Sequence, residues 1–118
     1  MSKKVRLGVI GAGSFSNSHL MGIKYSDSAE AVAICDINEG SARKQAEKYN
    51  IPDYYTDYRE LLKRDDIDAV TLPLPDQLHR KVTVDALHAG KHVLCEKPMA
   101  LNLEDCRAMI KASRESGK

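Results

Sequence analysis

The first apolar run of this chain ends on a glycine-rich turn, and that junction limits the fold more than any other feature. Val5-Arg6-Leu7-Gly8-Val9-Ile10 reads as a strand, and Gly11 to Ser16 follows it without a spacer. A helix is expected from about Phe15 to Tyr25, with Leu20 and Ile23 on one face. The alternation then repeats. Ala31-Val32-Ala33-Ile34-Cys35 is a second apolar strand ending at Asp36, and Asn38 is placed to cap a helix on which Ala42, Ala46 and Tyr49 share a face. Past Pro52 come a short strand at Tyr54-Tyr55 and a short helix from Tyr58 to Lys63. Ala69-Val70-Thr71-Leu72 is a fourth strand, stopped by Pro73. Leu78, Val82, Ala86 and Ala89 mark a helix closed by Gly90, and His92-Val93-Leu94-Cys95 is a fifth strand. Asn102 caps a last helix, which should turn Leu103, Cys106 and Ile110 inward and end at Gly117.

Strands alternating with helices predict an α/β fold, a doubly wound parallel sheet with helices on both faces. Continuous apolar strands suit a sheet buried on both sides. The length of 118 residues, 42% of them hydrophobic, fits one small globular domain. Five strands are read here, where a complete fold of this kind has about six.

The charge balance narrows the partners. Lys and Arg number 18 against 17 acidic residues, a net charge of +1, which gives no electrostatic reason to expect nucleic acid or an anionic membrane. Cys35, Cys95 and Cys106 form no CxxC pair, which argues for a reducing compartment and against a disulfide frame or zinc site. Lys3 and Lys4 precede an apolar run, but Arg6 and Gly8 break it and Gly11 stops it, so it suits neither a signal core nor a membrane span. A soluble, cytoplasmic protein is expected. His88 and His92 lack partners at ligand spacing, and no metal is expected.

Gly11-Ala12-Gly13-Ser14-Phe15-Ser16 occupies the strand-to-helix context that a dinucleotide fingerprint requires. Gly11 allows the tight turn. Gly13 lets a pyrophosphate approach the backbone, where the helix N-terminus receives it. The third position calls for a small residue, and here it is Ser16. Asp36 ends the second strand about 20 residues beyond the glycines, where an acidic residue accepts hydrogen bonds from the ribose hydroxyls of NAD and repels the extra phosphate of NADP; the competing reading is that it starts a turn or helps cap the next helix. Arg43 stands near enough in sequence to soften that preference. Residues 1–118 therefore read as one Rossmann-type dinucleotide-binding domain. NAD is the expected cofactor and NADP the alternative.

Cys95-Glu96-Lys97-Pro98 directly follows the fifth strand, at the carboxyl edge of the sheet where ligands bind. Pro98 restricts Lys97 to extended backbone angles. From there a lysine can donate to a substrate hydroxyl oxygen or stabilise a developing alkoxide, and Glu96 can pair with it or contact the nicotinamide ribose. An exposed turn is the competing reading of the same residues.

Taken in order, Gly11-Ala12-Gly13, His19, Asp36, Pro75-Asp76-Gln77-Leu78-His79 and Ala89-Gly90-Lys91-His92-Val93-Leu94-Cys95-Glu96-Lys97-Pro98 resemble the glucose–fructose oxidoreductase, inositol dehydrogenase and MocA family. The resemblance covers almost the whole chain. It implies an NAD- or NADP-dependent oxidoreductase acting on a sugar, inositol or related polyol, with Lys97 as the catalytic lysine and Glu96 beside the nicotinamide. It also implies that a C-terminal α/β substrate domain, which supplies further acid/base residues, is absent from these residues. Cofactor contacts are expected at Gly11, Gly13, Ser14, Phe15 and Asp36 on one side of the fold. On the other they are expected at Leu72, Pro73, His79, Glu96 and Lys97. Where the family usually has Thr-Pro-Asn, this chain has Leu74-Pro75-Asp76, which removes any contact made by the Thr or Asn side chains.

His79 is read equally as a residue near the cofactor and as a packing or capping histidine. His19 is read as structural, Cys95 as a small buried hydrophobe, and the Tyr54, Tyr55 and Tyr58 cluster as packing. Two rival functions remain beside the oxidoreductase. One is a non-catalytic nucleotide-binding module, whose exposed sheet edge invites self-association into a homo-oligomer. The other is a methyltransferase, against which the Glu-Lys-Pro element argues.

Overall fold

The computed structural model describes residues 4–97 and 99–118; Pro98 and Lys3, invoked above, lie outside them. Five parallel strands form one sheet in the order β3-β2-β1-β4-β5: β1 Val5–Ile10, β2 Ala29–Cys35, β3 Asp53–Tyr55, β4 Ala69–Leu72 and β5 His92–Cys95. The chain winds outward from β1 through β3, then crosses back to lay β4 on the other side of β1. The strand order therefore reverses between β1 and β4, and there the carboxyl ends of the two strands open a crevice.

Helix α1 (Ser16–Lys24) and helix α2 (Glu39–Lys48) cover one face, and helix α3 (Tyr58–Leu62) and helix α4 (His79–His88) cover the other. Alternating strand side chains feed two cores. Val9 and Ile34 pack with Leu20, Ala46 and Ile51 beneath α1 and α2. Ile10, Ala33, Cys35, Val70 and Leu72 pack with Leu61, Leu62, Val82 and Ala86 beneath α3 and α4. Burial on both faces explains why the central strands β1, β2 and β4 read as unbroken apolar runs, whereas β5 at the sheet edge leaves Leu94 63% exposed.

Three sequence expectations are corrected. Helix α5 (Leu103–Ser116) starts at its Asn102 cap and ends at left-handed Gly117 as expected, but Leu103 is 72% and Ile110 44% exposed. Met109 and Ala112 are the buried pair, because α5 docks on α4 rather than on the sheet and presents a different stripe. Leu78 is 40% exposed, because a single 3-10 turn, Asp76–Leu78, precedes α4 and turns that side chain outward. Ala89 is exposed as well, since α4 ends at His88 and left-handed Gly90 follows it.

Lys91 takes a structural post. Its ammonium, 6% exposed, donates to the carbonyl oxygens of Arg64 at 2.5 Å and Ile67 at 2.9 Å, tying the start of β5 to the approach to β4.

Candidate functional site

The glycine turn sits where β1 meets β4. Gly11 donates its backbone N–H to the Cys35 carbonyl at 2.8 Å and has φ +119°, and a Cβ there would run into the carbonyl oxygen of Pro73. Only glycine lets the two strand ends approach so closely. Gly13 differs: a Cβ on it would meet nothing within 4 Å. The fold itself does not need glycine there, so its bareness serves open space above the turn.

Ser16, fully buried, resolves the unusual third position of the fingerprint. Its hydroxyl donates to the Gly13 carbonyl at 2.6 Å and accepts from Gln45 Nε2 at 2.9 Å, so α2 braces the turn through a polar pair. Gln45 also donates to Asn17 Oδ1 at 2.9 Å. Side chains of Asn38, Asp57 and Asn102 cap α2, α3 and α5, whereas α1, whose N-cap is Phe15, has no side-chain cap, and neither has α4. The first N–H groups of α1, those of Ser16 and Asn17, donate to the Gly13 and Ser14 carbonyls, so an anionic group above the turn would draw on the positive end of the helix dipole.

Asp36 fixes the far side of the turn. Its Oδ2 accepts from the Ala12 N–H at 2.9 Å and its Oδ1 from the Asn38 N–H at 2.8 Å. Each carboxylate oxygen retains a second lone pair for an incoming hydroxyl. The bond from Asn38 is the turn-starting contact open to this position from sequence, and the one from Ala12 is a structural task that its sequence position does not reveal.

From β4 and β5 come the opposite walls. A cleft of about 590 Å³ is bounded by Gly11, Gly13, Ser14, Phe15 and Asp36 on one side and by Pro73, Leu74, Pro75, Asp76, Glu96 and Lys97 on the other. Of the expected contact residues, the fold gathers all but two around this space. Leu72 and His79 are fully buried and lie outside its wall. His79 acts from beneath: its Nε2 donates to the Leu74 carbonyl at 3.1 Å and so shapes the Leu74–Asp76 wall.

Sequence reasoning missed Leu74, Pro75 and Asp76 as lining residues; their signal was position, directly after a strand that borders the crevice. It also assigned His19 to structure alone. The His19 side chain, 6% exposed, has Nδ1 at 2.6 Å from Thr71 Oγ1 and Nε2 at 2.8 Å from Glu96 Oε1.

The thiols are poorly suited to nucleophilic work. Burial, with the charges of Asp36 and Asp57 nearby, pushes Cys35 up to about 12. Burial likewise raises Cys95. Among the described residues no group of His, Cys, Asp and Glu is arranged to hold a metal ion, and no helix is long and apolar enough to cross a membrane.

Five parallel strands, a glycine turn at the reversal of strand order and a carboxylate ending β2 define a dinucleotide-binding α/β domain. Residues 5–118 match the oxidoreductase family with an NAD-binding Rossmann fold, the glucose–fructose oxidoreductase, inositol dehydrogenase and MocA group, and the chain belongs to that family. It is 40% identical over 113 residues to 4-carboxy-2-hydroxymuconate-6-semialdehyde dehydrogenase of Sphingobium, covering 96% of this chain and 36% of the relative. It is 36% identical over 116 residues to inositol 2-dehydrogenase of Salmonella typhimurium, covering 97% and 34%. Among solved structures, the WlbA dehydrogenase of Bordetella pertussis in complex with NADH and UDP-GlcNAcA superposes with TM-score 0.92 at 34% identity, over 98% of this chain and 35% of that one. A 3-ketoreductase from Actinomadura kijaniata, in complex with NADP and TDP-benzene, gives the same TM-score and identity and covers the same shares. The chain spans about a third of the length of these relatives.

Proposed function

We propose that this domain holds NAD across the carboxyl ends of β2, β1, β4 and β5, as the nucleotide-binding part of an enzyme that oxidises or reduces a sugar, inositol or related polyol. One observation carries the reading. The glycine turn, the Asp36 carboxylate and the Glu96-Lys97 pair border a single cleft at the reversal of strand order. Gly11, Gly13, Ser14 and Phe15 receive the pyrophosphate, and Asp36 accepts from the adenosine ribose. Pro73 and Glu96 border the nicotinamide half. Leu72 and His79 support that wall from within the core. The bound cofactor would accept hydride from a carbinol carbon or deliver it to a carbonyl carbon.

Lys97 is exposed and borders the cleft. In this reading it donates a hydrogen bond to the substrate oxygen and offsets negative charge as the hydroxyl proton leaves. Residues outside this domain form the remaining substrate wall and choose the substrate. The relatives' length and the inositol dehydrogenase and UDP-sugar names among them support that division. Asp36 favours NAD over NADP through repulsion of a 2′-phosphate. A reducing cytoplasm suits two thiols held protonated, and the open edge of β5 is the route for any self-association.

Calorimetric titration of the chain with NADH and with NADPH tests the cofactor site. Saturable binding that favours NADH is expected, with Asp36→Ala weakening NADH about tenfold or more through loss of charge-assisted hydrogen bonds. Tighter binding of S-adenosylmethionine than of either dinucleotide would overturn the reading. In the complete enzyme, Lys97→Ala is expected to lower turnover far more than it weakens NADH binding; unchanged turnover would remove Lys97 from the chemistry.

A further inference from the structure

We infer that His19 is a positioning residue for Glu96, fixing that carboxylate on the nicotinamide side of the cleft; the inference rests on the dinucleotide reading above. His19 leaves α1 toward the sheet and is almost fully enclosed, its side chain 6% exposed. Both ring nitrogens are engaged from other elements. Nδ1 lies 2.6 Å from the hydroxyl of Thr71, a β4 side chain that is 2% exposed. Nε2 lies 2.8 Å from Glu96 Oε1, in contact distance though not aligned as a hydrogen bond.

The chemistry of the three groups fixes their polarity. A carboxylate only accepts, and a bare ring nitrogen facing it at that distance would repel it, so Nε2 carries a proton. The neutral ring then has Nδ1 as an acceptor, and the Thr71 hydroxyl donates to it. Thr71, His19 and Glu96 thus form a chain that runs from inside β4 to the rim of the cleft. Glu96 follows the last residue of β5 on a segment outside regular structure, and its side chain is 40% exposed. Without a partner such a carboxylate would sample several directions. His19 holds it where a ligand lying across β1 and β4 passes onto β5.

The alternative is a histidine that merely packs α1 against the sheet. Packing needs neither a hydroxyl on one nitrogen nor a carboxylate on the other. It would also leave Glu96 without the enclosed ring that, among the described residues, is its ion-pairing partner.

The test uses two ligands and two isosteric replacements. Gln places a donor near the Nε2 position and Asn near Nδ1. NADH spans the whole cleft, and ADP-ribose stops short of the nicotinamide. His19→Asn and Glu96→Ala are each expected to weaken NADH binding about threefold to tenfold, the scale of one ordinary hydrogen bond. ADP-ribose binding should stay within about twofold. His19→Gln should restore NADH affinity, and the double variant His19→Asn with Glu96→Ala should be no weaker than Glu96→Ala alone. An equal loss of ADP-ribose affinity, additive single effects, or failure of His19→Gln to rescue would each overturn the inference. Should the native chain bind neither ligand, the dinucleotide reading itself fails. The ring nitrogen shifts of His19 by NMR would then judge the pairing: a proton on Nε2 that responds to Glu96→Ala supports it, and a proton on Nδ1 refutes it.

Discussion

Replacing Gly11 and Gly13 by alanine, one at a time, separates the glycine that the fold needs from the glycine that the ligand needs. At Gly11 an alanine inherits φ +119° and directs its Cβ into the Pro73 carbonyl. Strain of that kind costs about 1–3 kcal/mol. Moving a backbone carbonyl aside in a packed crevice costs roughly another 1–3 kcal/mol. At about 4 °C per kcal/mol for a domain of this size, the midpoint of thermal unfolding should fall by roughly 8 °C or more. At Gly13 the added methyl meets nothing within 4 Å, and φ is not positive, so stability should stay within about 0.5 kcal/mol of the native chain. Yet that methyl occupies the space through which a pyrophosphate must approach, so NADH affinity should fall tenfold or more, about 1.4 kcal/mol. Calorimetry of binding and of unfolding on the same two variants reads both effects. A Gly13→Ala variant with native affinity would refute the placement of the pyrophosphate. A Gly11→Ala variant with native stability would refute the close approach of β1 and β4.

Two further outcomes follow from buried groups. Lys91→Met removes the charged donor from the Arg64 and Ile67 carbonyls and should cost about 1–3 kcal/mol in chemical denaturation; native stability would show that water serves those carbonyls equally well. Cys35 should make the fold sensitive to alkali. Its pKa rises from the ordinary 9.0 to about 12 on folding, so between those values the unfolded chain releases a proton that the native chain keeps. Stability should be intact below pH 9 and then fall as pH rises, by up to about 1.4 kcal/mol per pH unit. Cys35→Ala should flatten that slope, and parallel slopes in the two proteins would dismiss the thiol as its source.

The strands were legible because a parallel sheet writes itself as apolar runs: β1 and β4, buried in the middle, fall on the residues that the pattern marks, and so does β5, although it is exposed on one face. Strand β2 starts earlier than its apolar run, at Ala29, because the polar Glu30 lies in the part that pairs with the entry of β1. The inward face of α5 was not legible. Its docking partner is α4 rather than the sheet, and a helix's own periodicity does not say which neighbour it will meet. Within the site, the glycines and Asp36 could be read from spacing, since the crevice lies where the strand order reverses. The second task of Asp36, holding the Ala12 N–H, depends on the turn's three-dimensional path. The partners of His19 were hidden for a similar reason. Thr71 and Glu96 come from β4 and from the segment behind β5, which only the finished sheet brings beside α1.

The central claim, a dinucleotide lying across the crevice, is tested most directly by following the backbone amides of the chain by NMR as NADH is added. Saturable shifts are expected at Gly11 to Phe15, at Asp36, at Leu74 and Asp76 and at Glu96 and Lys97, with ADP-ribose reproducing all but the last group. Shifts gathered instead along the groove between α1 and the sheet that Leu7, Ile23 and Leu94 line, or none that saturate, would contradict it.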